Sequence, residues 1–193
     1  QYAVIAANAP TGVTPEQAAV WAYPMNHEEA ISPDALREEV IFNMVSAMLL
    51  RIHQSGHLAK LDAERKALVK QALDIYKTIR QDIRISRPFW PLGLAGYSDE
   101  IVSLGLFVEG KAYLAVWKRG GKADCVTLPV SAAVRNALGG EELSVTCIYP
   151  DRESADAVYD PVQKAVKAAL PKPVMARLFE LKPAYEKADT KNS

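Results

Sequence analysis

Few side chains in this 193-residue sequence could do chemistry: three histidines, two cysteines, scattered carboxylates and some aromatic rings. His53 and His57 stand four apart, a spacing that on one helix face could hold a metal ion. Gly56 lies between them and disfavours the helix, and no glutamate sits where a zinc protease needs its base, so no metal site is expected. Cys125 and Cys147 form no CxxC pair and have no histidine near them in sequence. Their β-like surroundings predict two buried reduced thiols, with a disulfide between neighbouring strands as the alternative. Glu16 is the only acid in the first strand-like region, and no aspartate occurs in the first 33 residues. Trp21 and Tyr23 end an apolar run at Pro24. Their rings could meet a ligand face or pack against a neighbouring element.

The elements that must position these groups fall into two compositional halves. Residues 1–84 carry helix signals and residues 95–182 carry strand signals, joined by Arg87-Pro88-Phe89-Trp90-Pro91-Leu92-Gly93. Two prolines and a glycine there break any helix and mark a junction. In the first half, Ala18 to Tyr23 reads as a short buried strand. Ser32-Pro33-Asp34 is a helix start, with a capping side chain, a proline suited to the first turn and an acid at the positive end of the dipole. Apolar residues from Leu36 through Val40, Ile41, Met44, Val45, Met48 and Leu49 to Ile52 recur at helical spacing over a wide face, predicting a mostly buried helix. Asp62 caps a second helix whose stripe is Leu68, Ala72, Ile75, Tyr76, Ile79 and Ile83.

The second half alternates with period two. Residues 101–108 and 111–118 read as a hairpin turning at Glu109-Gly110. Residues 124–129, 143–149 and 175–181 read as further strands, while 162–170 fit helix or strand equally. Short strands between glycine turns predict an antiparallel sandwich. Phe89 and Trp90 are expected at the junction with the second-helix face around Tyr76 and Ile79. Phe89, Trp90 and Trp117 read as core between the halves rather than as an exposed platform.

Bulk properties exclude several classes. The chain has 23 basic and 23 acidic residues and shows no basic stripe, which argues against nucleic-acid binding. Apolar stretches are interrupted by charges well short of the roughly 18 residues that a membrane span needs. The start at Gln1, inside an apolar run, is expected to be the interior of a longer protein, and the compartment stays open.

The sequence resembles the C-terminal portion of glycoside hydrolase family 36, the α-galactosidases. The residues that carry the resemblance are Thr14-Pro15-Glu16-Gln17-Ala18-Ala19-Val20-Trp21-Ala22-Tyr23-Pro24, Leu50-Arg51-Ile52-His53-Gln54-Ser55-Gly56-His57-Leu58 and Tyr76-Lys77-Thr78-Ile79-Arg80. Pro88-Phe89-Trp90-Pro91-Leu92-Gly93-Leu94, Tyr113 to Trp117 and Ala176 to Leu181 continue it in the same order. Residues 25–35 and 151–170 resemble the family least.

The resemblance implies an α/β fragment, the last two units of a (β/α)8 barrel, followed by an antiparallel β-sandwich. Residues 1–87 would form the barrel end, 88–186 the sandwich and 187–193 a disordered tail. Residues 16–23 become the seventh barrel strand and 36–50 its helix; residues 51–57 become the eighth strand and 62–83 its helix. This assignment cuts the first helix short of His53. The family is a retaining one, in which two carboxyl groups about 5–5.5 Å apart attack the anomeric carbon and protonate the leaving oxygen. Its two aspartates sit on the fourth and sixth strands, before Gln1, so no catalytic residue is expected here and the chain alone should be inactive. Glu16, at a strand start, would lie on the barrel floor.

Active sites of such barrels open at the C-terminal strand ends. That places Trp21, Tyr23, Gly56 and His57 as substrate-binding candidates: rings for the C–H face of a sugar, a glycine for close approach, an imidazole for a hydroxyl. The structural alternative is the default for the side chains: packing between barrel and helix for Trp21 and Tyr23, and a polar contact at the rim for His57. The implied partner is an α-galactoside oligosaccharide bound by the full-length parent, with no cofactor and no metal. The fold would need the missing N-terminal barrel, and homo-oligomer formation is open. Competing readings are a non-catalytic carbohydrate-binding or scaffold module built on the sandwich, and a helical adaptor built on residues 36–83.

Overall fold

A computed structural model describes residues 1–24, 33–151 and 157–184. The expected tail, 187–193, lies outside the described residues, as does most of the segment 25–35. The order of elements is α1 (Tyr2–Asn8), β1 (Ala19–Ala22), α2 (Pro33–Met48), β2 (Arg51–Gln54), α3 (Ala63–Ile85) and β3 (Arg87–Phe89). Then come β4 (Ile101–Val108), β5 (Lys111–Lys118), β6 (Cys125–Pro129), α4 (Ala132–Leu138), β7 (Leu143–Tyr149), β8 (Ala157–Asp160), β9 (Ala165–Ala169) and β10 (Met175–Pro183).

Strands β1 and β2 pair in parallel, with Trp21 opposite His53, and α2 makes the crossover between them. Parallel neighbours need such a long connection, which is why a helix intervenes. Helix α2 buries Val40, Ile41, Met44, Val45, Ala47 and Met48. Helix α3 starts where Asp62 accepts a hydrogen bond from the Arg65 amide at 2.8 Å. Its inner stripe buries Leu68, Val69, Ala72, Ile79 and Ile83.

The second half is antiparallel throughout. One sheet has the order β3-β4-β5-β10-β7 and another the order β6-β9-β8. The hairpin forms as expected: Val108 pairs with Lys111, and Gly110 turns with φ +77°, a left-handed conformation that suits glycine. The central sheet is buried on both faces. Leu104, Leu106, Tyr113, Trp117 and Leu178 join the helices in one core. Leu114, Val116, Phe179 and Leu181 of the same sheet join β6, β9 and α4 in a second core. The result is a mixed α/β molecule with several antiparallel sheets, consistent with a β-sandwich, whose larger sheet shares its outer core with the helical half.

Specific polar contacts cross between the halves. Glu38 of α2, only 3% exposed, accepts from Arg177 of β10 at 2.8 and 3.0 Å and from Lys172 at 2.8 Å. Asp82 of α3 accepts from the Tyr113 hydroxyl at 2.6 Å and faces the Lys111 ammonium at 2.7 Å. The buried Tyr149 hydroxyl donates to the Leu68 carbonyl at 3.3 Å.

Several elements differ from the sequence reading. The opening apolar run is a helix, α1, whose Ala3, Ala6 and Ala7 are buried. Within residues 162–170 the structure forms a strand, β9 (Ala165–Ala169), which lies between β6 and β8 and pairs with both. Helix α4 and strand β8 carried too short a pattern to be read. Helix α4 is nonetheless well built, with Ser131 accepting from the Val134 amide and Gly139 closing it at φ +78°. Cys125 is exposed rather than buried, at the outer end of β6; Cys147 is half-buried, and both are free thiols. The junction aromatics separate. Phe89, the last residue of β3, packs against the second core, and Trp90, just past the strand, against the helical one.

Candidate functional site

At the C-terminal ends of β1 and β2 a cluster of rings gathers on the outward face of the two strands. Along β1, Val20 and Ala22 are buried while Ala19 and Trp21 point outward. Parallel pairing sets His53 beside Trp21 on the outward face. The Trp21 and His53 rings meet edge to face with centroids 5.4 Å apart. Tyr23 stacks obliquely on Trp21 at 6.3 Å and inclines toward Tyr2 at 5.7 Å. Trp21 remains 52% exposed.

The backbone beneath the rings is well fixed. The Ser55 amide donates to the Ala22 carbonyl at 3.0 Å, and the Gln54 side chain donates to the same oxygen at 3.0 Å. Gly56 then takes φ +87°, where a side chain would be strained. It redirects the chain so that His57 stands exposed just before a short 3-10 turn at Leu58–Lys60.

Of the four residues expected at this rim, Trp21 and Tyr23 are in ring contact. Gly56 and His57 lie on the adjoining loop, and His57 makes no side-chain hydrogen bond or ring contact among the described residues. His53 and Tyr2 complete the cluster and were not singled out for it. In the sequence His53 stands out only by its four-residue spacing from His57. The signal that could have found it is register: two short parallel strands joined by one helix align their outward positions. Glu16 lies at the other end of β1, in the preceding loop, where Thr14 donates to its carboxylate at 2.7 Å.

Among the described residues, none in ring contact or hydrogen bond with the cluster is a carboxylate, and no three His, Cys, Asp or Glu side chains gather as a metal site. Among them, too, no helix is long and apolar enough to cross a membrane. The arrangement can stack on an apolar face and hydrogen-bond to hydroxyls. It offers no nucleophile held against a positioned acid.

No protein-family model matches the sequence, and no curated protein is significantly similar to it. Solved structures are. A variant of the glycoside hydrolase family 36 α-galactosidase AgaA from Geobacillus stearothermophilus, in complex with raffinose, superposes with a TM-score of 0.57 at 16% identity, over 86% of this chain and 21% of that one. The galactosidase domain of the α-galactosidase–sucrose kinase AgaSK gives a TM-score of 0.56 at 16% identity, over 86% and 21%. The α-galactosidase from Lactobacillus brevis gives 0.56 at 14% identity, over 91% and 23%. The chain thus has the fold of a portion of these enzymes and spans about a fifth of their length.

Proposed function

We propose that this chain is the C-terminal segment of a retaining, α-galactosidase-like glycoside hydrolase of family 36. In this reading residues 1–87 are the last two units of a (β/α)8 barrel and residues 88–186 a C-terminal β-sandwich. The parent protein hydrolyses terminal α-galactosyl residues of oligosaccharides. The observation that carries the reading is the ring cluster on the outward face of two parallel strands, at their C-terminal ends, in a chain that shares its fold with those enzymes. Brought against the remaining strands, that face would look into the barrel, where Trp21 would take the C–H face of a galactosyl ring. Tyr23 and His57 would reach hydroxyls, and Gly56 would let the backbone come close.

The covalent chemistry belongs to carboxylates supplied by the rest of the parent. The chain alone is therefore inactive and depends on the missing barrel units as its partner. The alternative, a carbohydrate-binding module on the sandwich, finds less support: Trp117 is 1% exposed, and Phe89 and Trp90 each pack against a core.

The test is release of p-nitrophenol from its α-galactoside by purified residues 1–193 and by the parent. We expect no turnover from the chain and turnover from the parent. Activity that copurifies with the chain and disappears in Glu16→Ala would overturn the assignment. Within an active parent, Trp21→Ala should raise KM about tenfold or more, since a sugar–aromatic contact is lost.

A further inference from the structure

Two histidines stand near the end of β2, and the fold treats them differently. His57 is exposed on the loop after Gly56 and touches no ring among the described residues. His53 is half-buried within β2, set opposite Trp21 by parallel register and in edge-to-face contact with it. We propose that His53 is a substrate-contacting residue of the rim, hydrogen-bonding one hydroxyl of the galactosyl unit that meets Trp21. This role rests on the reading of β1 and β2 as barrel strands and of Trp21 as a sugar contact.

Neighbouring rings hold the imidazole in place before any ligand arrives. Its plane stands at 85° to the indole of Trp21, with centroids 5.4 Å apart. Trp21 in turn meets Tyr23, and Tyr23 meets Tyr2, so His53 ends a row of four rings. The strand beneath is pinned by the Ser55 amide and the Gln54 side chain, both donating to the Ala22 carbonyl. A side chain fixed in this way loses little freedom when a ligand binds.

The hydrogen-bonding capacity of that imidazole is unspent. Neither ring nitrogen has a hydrogen-bond or ion-pair partner among the described residues; the side chain is held by its ring contact alone. A neutral imidazole offers one N–H donor and one acceptor nitrogen. Strands closing over this face would take it out of water, and a buried polar group needs a partner. No carboxylate among the described residues is in hydrogen bond or ring contact with the cluster, so this chain supplies no rival to the ligand. A sugar hydroxyl both donates and accepts, and so suits either nitrogen. Because the imidazole touches the indole, a pyranose in contact with Trp21 also lies beside His53.

The experiment compares the parent protein with its His53→Phe variant, which keeps a ring against Trp21 and deletes the hydrogen bond. Both are assayed on p-nitrophenyl α-galactoside and on its 2-, 3-, 4- and 6-deoxy analogues, with circular dichroism to confirm the fold. If His53→Phe does not fold, His53→Ala carries the same comparison. On the complete sugar the variant should lose about tenfold in kcat/KM, the worth of one hydrogen bond. On one deoxy analogue, the one lacking the hydroxyl that His53 holds, parent and variant should be equal. The tenfold gap should persist on the other three. A loss of the same factor on all five substrates would mean that His53 only packs against Trp21. That result, or no loss on any substrate, overturns the proposal and leaves the galactosidase reading standing. A parent that hydrolyses no α-galactoside overturns that reading itself, and the role of His53 with it.

Discussion

Glu38 joins the helical half to the antiparallel half through a buried ion pair with Arg177. Burial pushes its carboxyl upward, but hydrogen bonds from Arg177 and Lys172 more than offset this and hold it below its ordinary value of 4.5. Removing one partner of a buried pair leaves the other charge uncompensated. Glu38→Gln should therefore destabilise the chain by about 3 kcal/mol, measured by urea unfolding at neutral pH. A group with a depressed folded-state value stabilises fully above its unfolded value and loses that contribution as pH falls through the folded one. The difference in Tm between the parent chain and Glu38→Gln should thus be constant above about pH 5 and shrink below pH 4.5. A second residue with a sharp requirement is Gly105, opposite Phe89 in the β3–β4 pair. Gly105→Ala must displace the ring from its bed, at a cost of about 1–3 kcal/mol in the same unfolding experiment.

Among the elements, α1 and the β1–β2 pair differ in how they are held. Helix α1 has seven residues, too few to be stable alone, and is tied down by tertiary contacts. Asn8 exchanges two hydrogen bonds with the Ala95 peptide, at 2.8 and 2.9 Å, and Trp90 caps the Ala7 carbonyl. Trp90→Phe keeps a ring in the core but deletes the indole donor. It should cost about 1 kcal/mol and speed amide exchange in α1 selectively. Strands β1 and β2 form a two-stranded sheet whose outer edges have no neighbour among the described residues. Strand β5 is paired on both sides and almost wholly buried. Hydrogen exchange should therefore be fastest in β1 and β2 and slowest in β5 and β10.

At the level of the whole molecule, much of the architecture was legible in the order of residues. Period-two alternation over 101–118 is a purely local signal, and the hairpin formed with its turn at Glu109-Gly110. The stop of α2 before Arg51 and the cap at Asp62 were likewise readable, the first through the resemblance and the second through Asp62's own chemistry. The rim residues Trp21, Tyr23, Gly56 and His57 were named through the resemblance; the structure puts Trp21 and Tyr23 in ring contact and Gly56 and His57 on the adjoining loop. What could not be read depended on partners distant in the chain. The ion pair between Glu38 and Arg177 joins residues 139 apart, and neither looks unusual among its sequence neighbours. The strand identity of 165–169 came from edges on both sides, and β9 supplied them no stronger pattern than a helix would. His53 joined Trp21 only through parallel register, and Phe89 parted from Trp90 only once β3 had a sheet to join. Periodicity and capping act within a few residues, so one strand of text contains them. Register, burial of charge and the choice of core are settled by whichever surfaces the folded chain brings together, and those are properties of the three-dimensional arrangement.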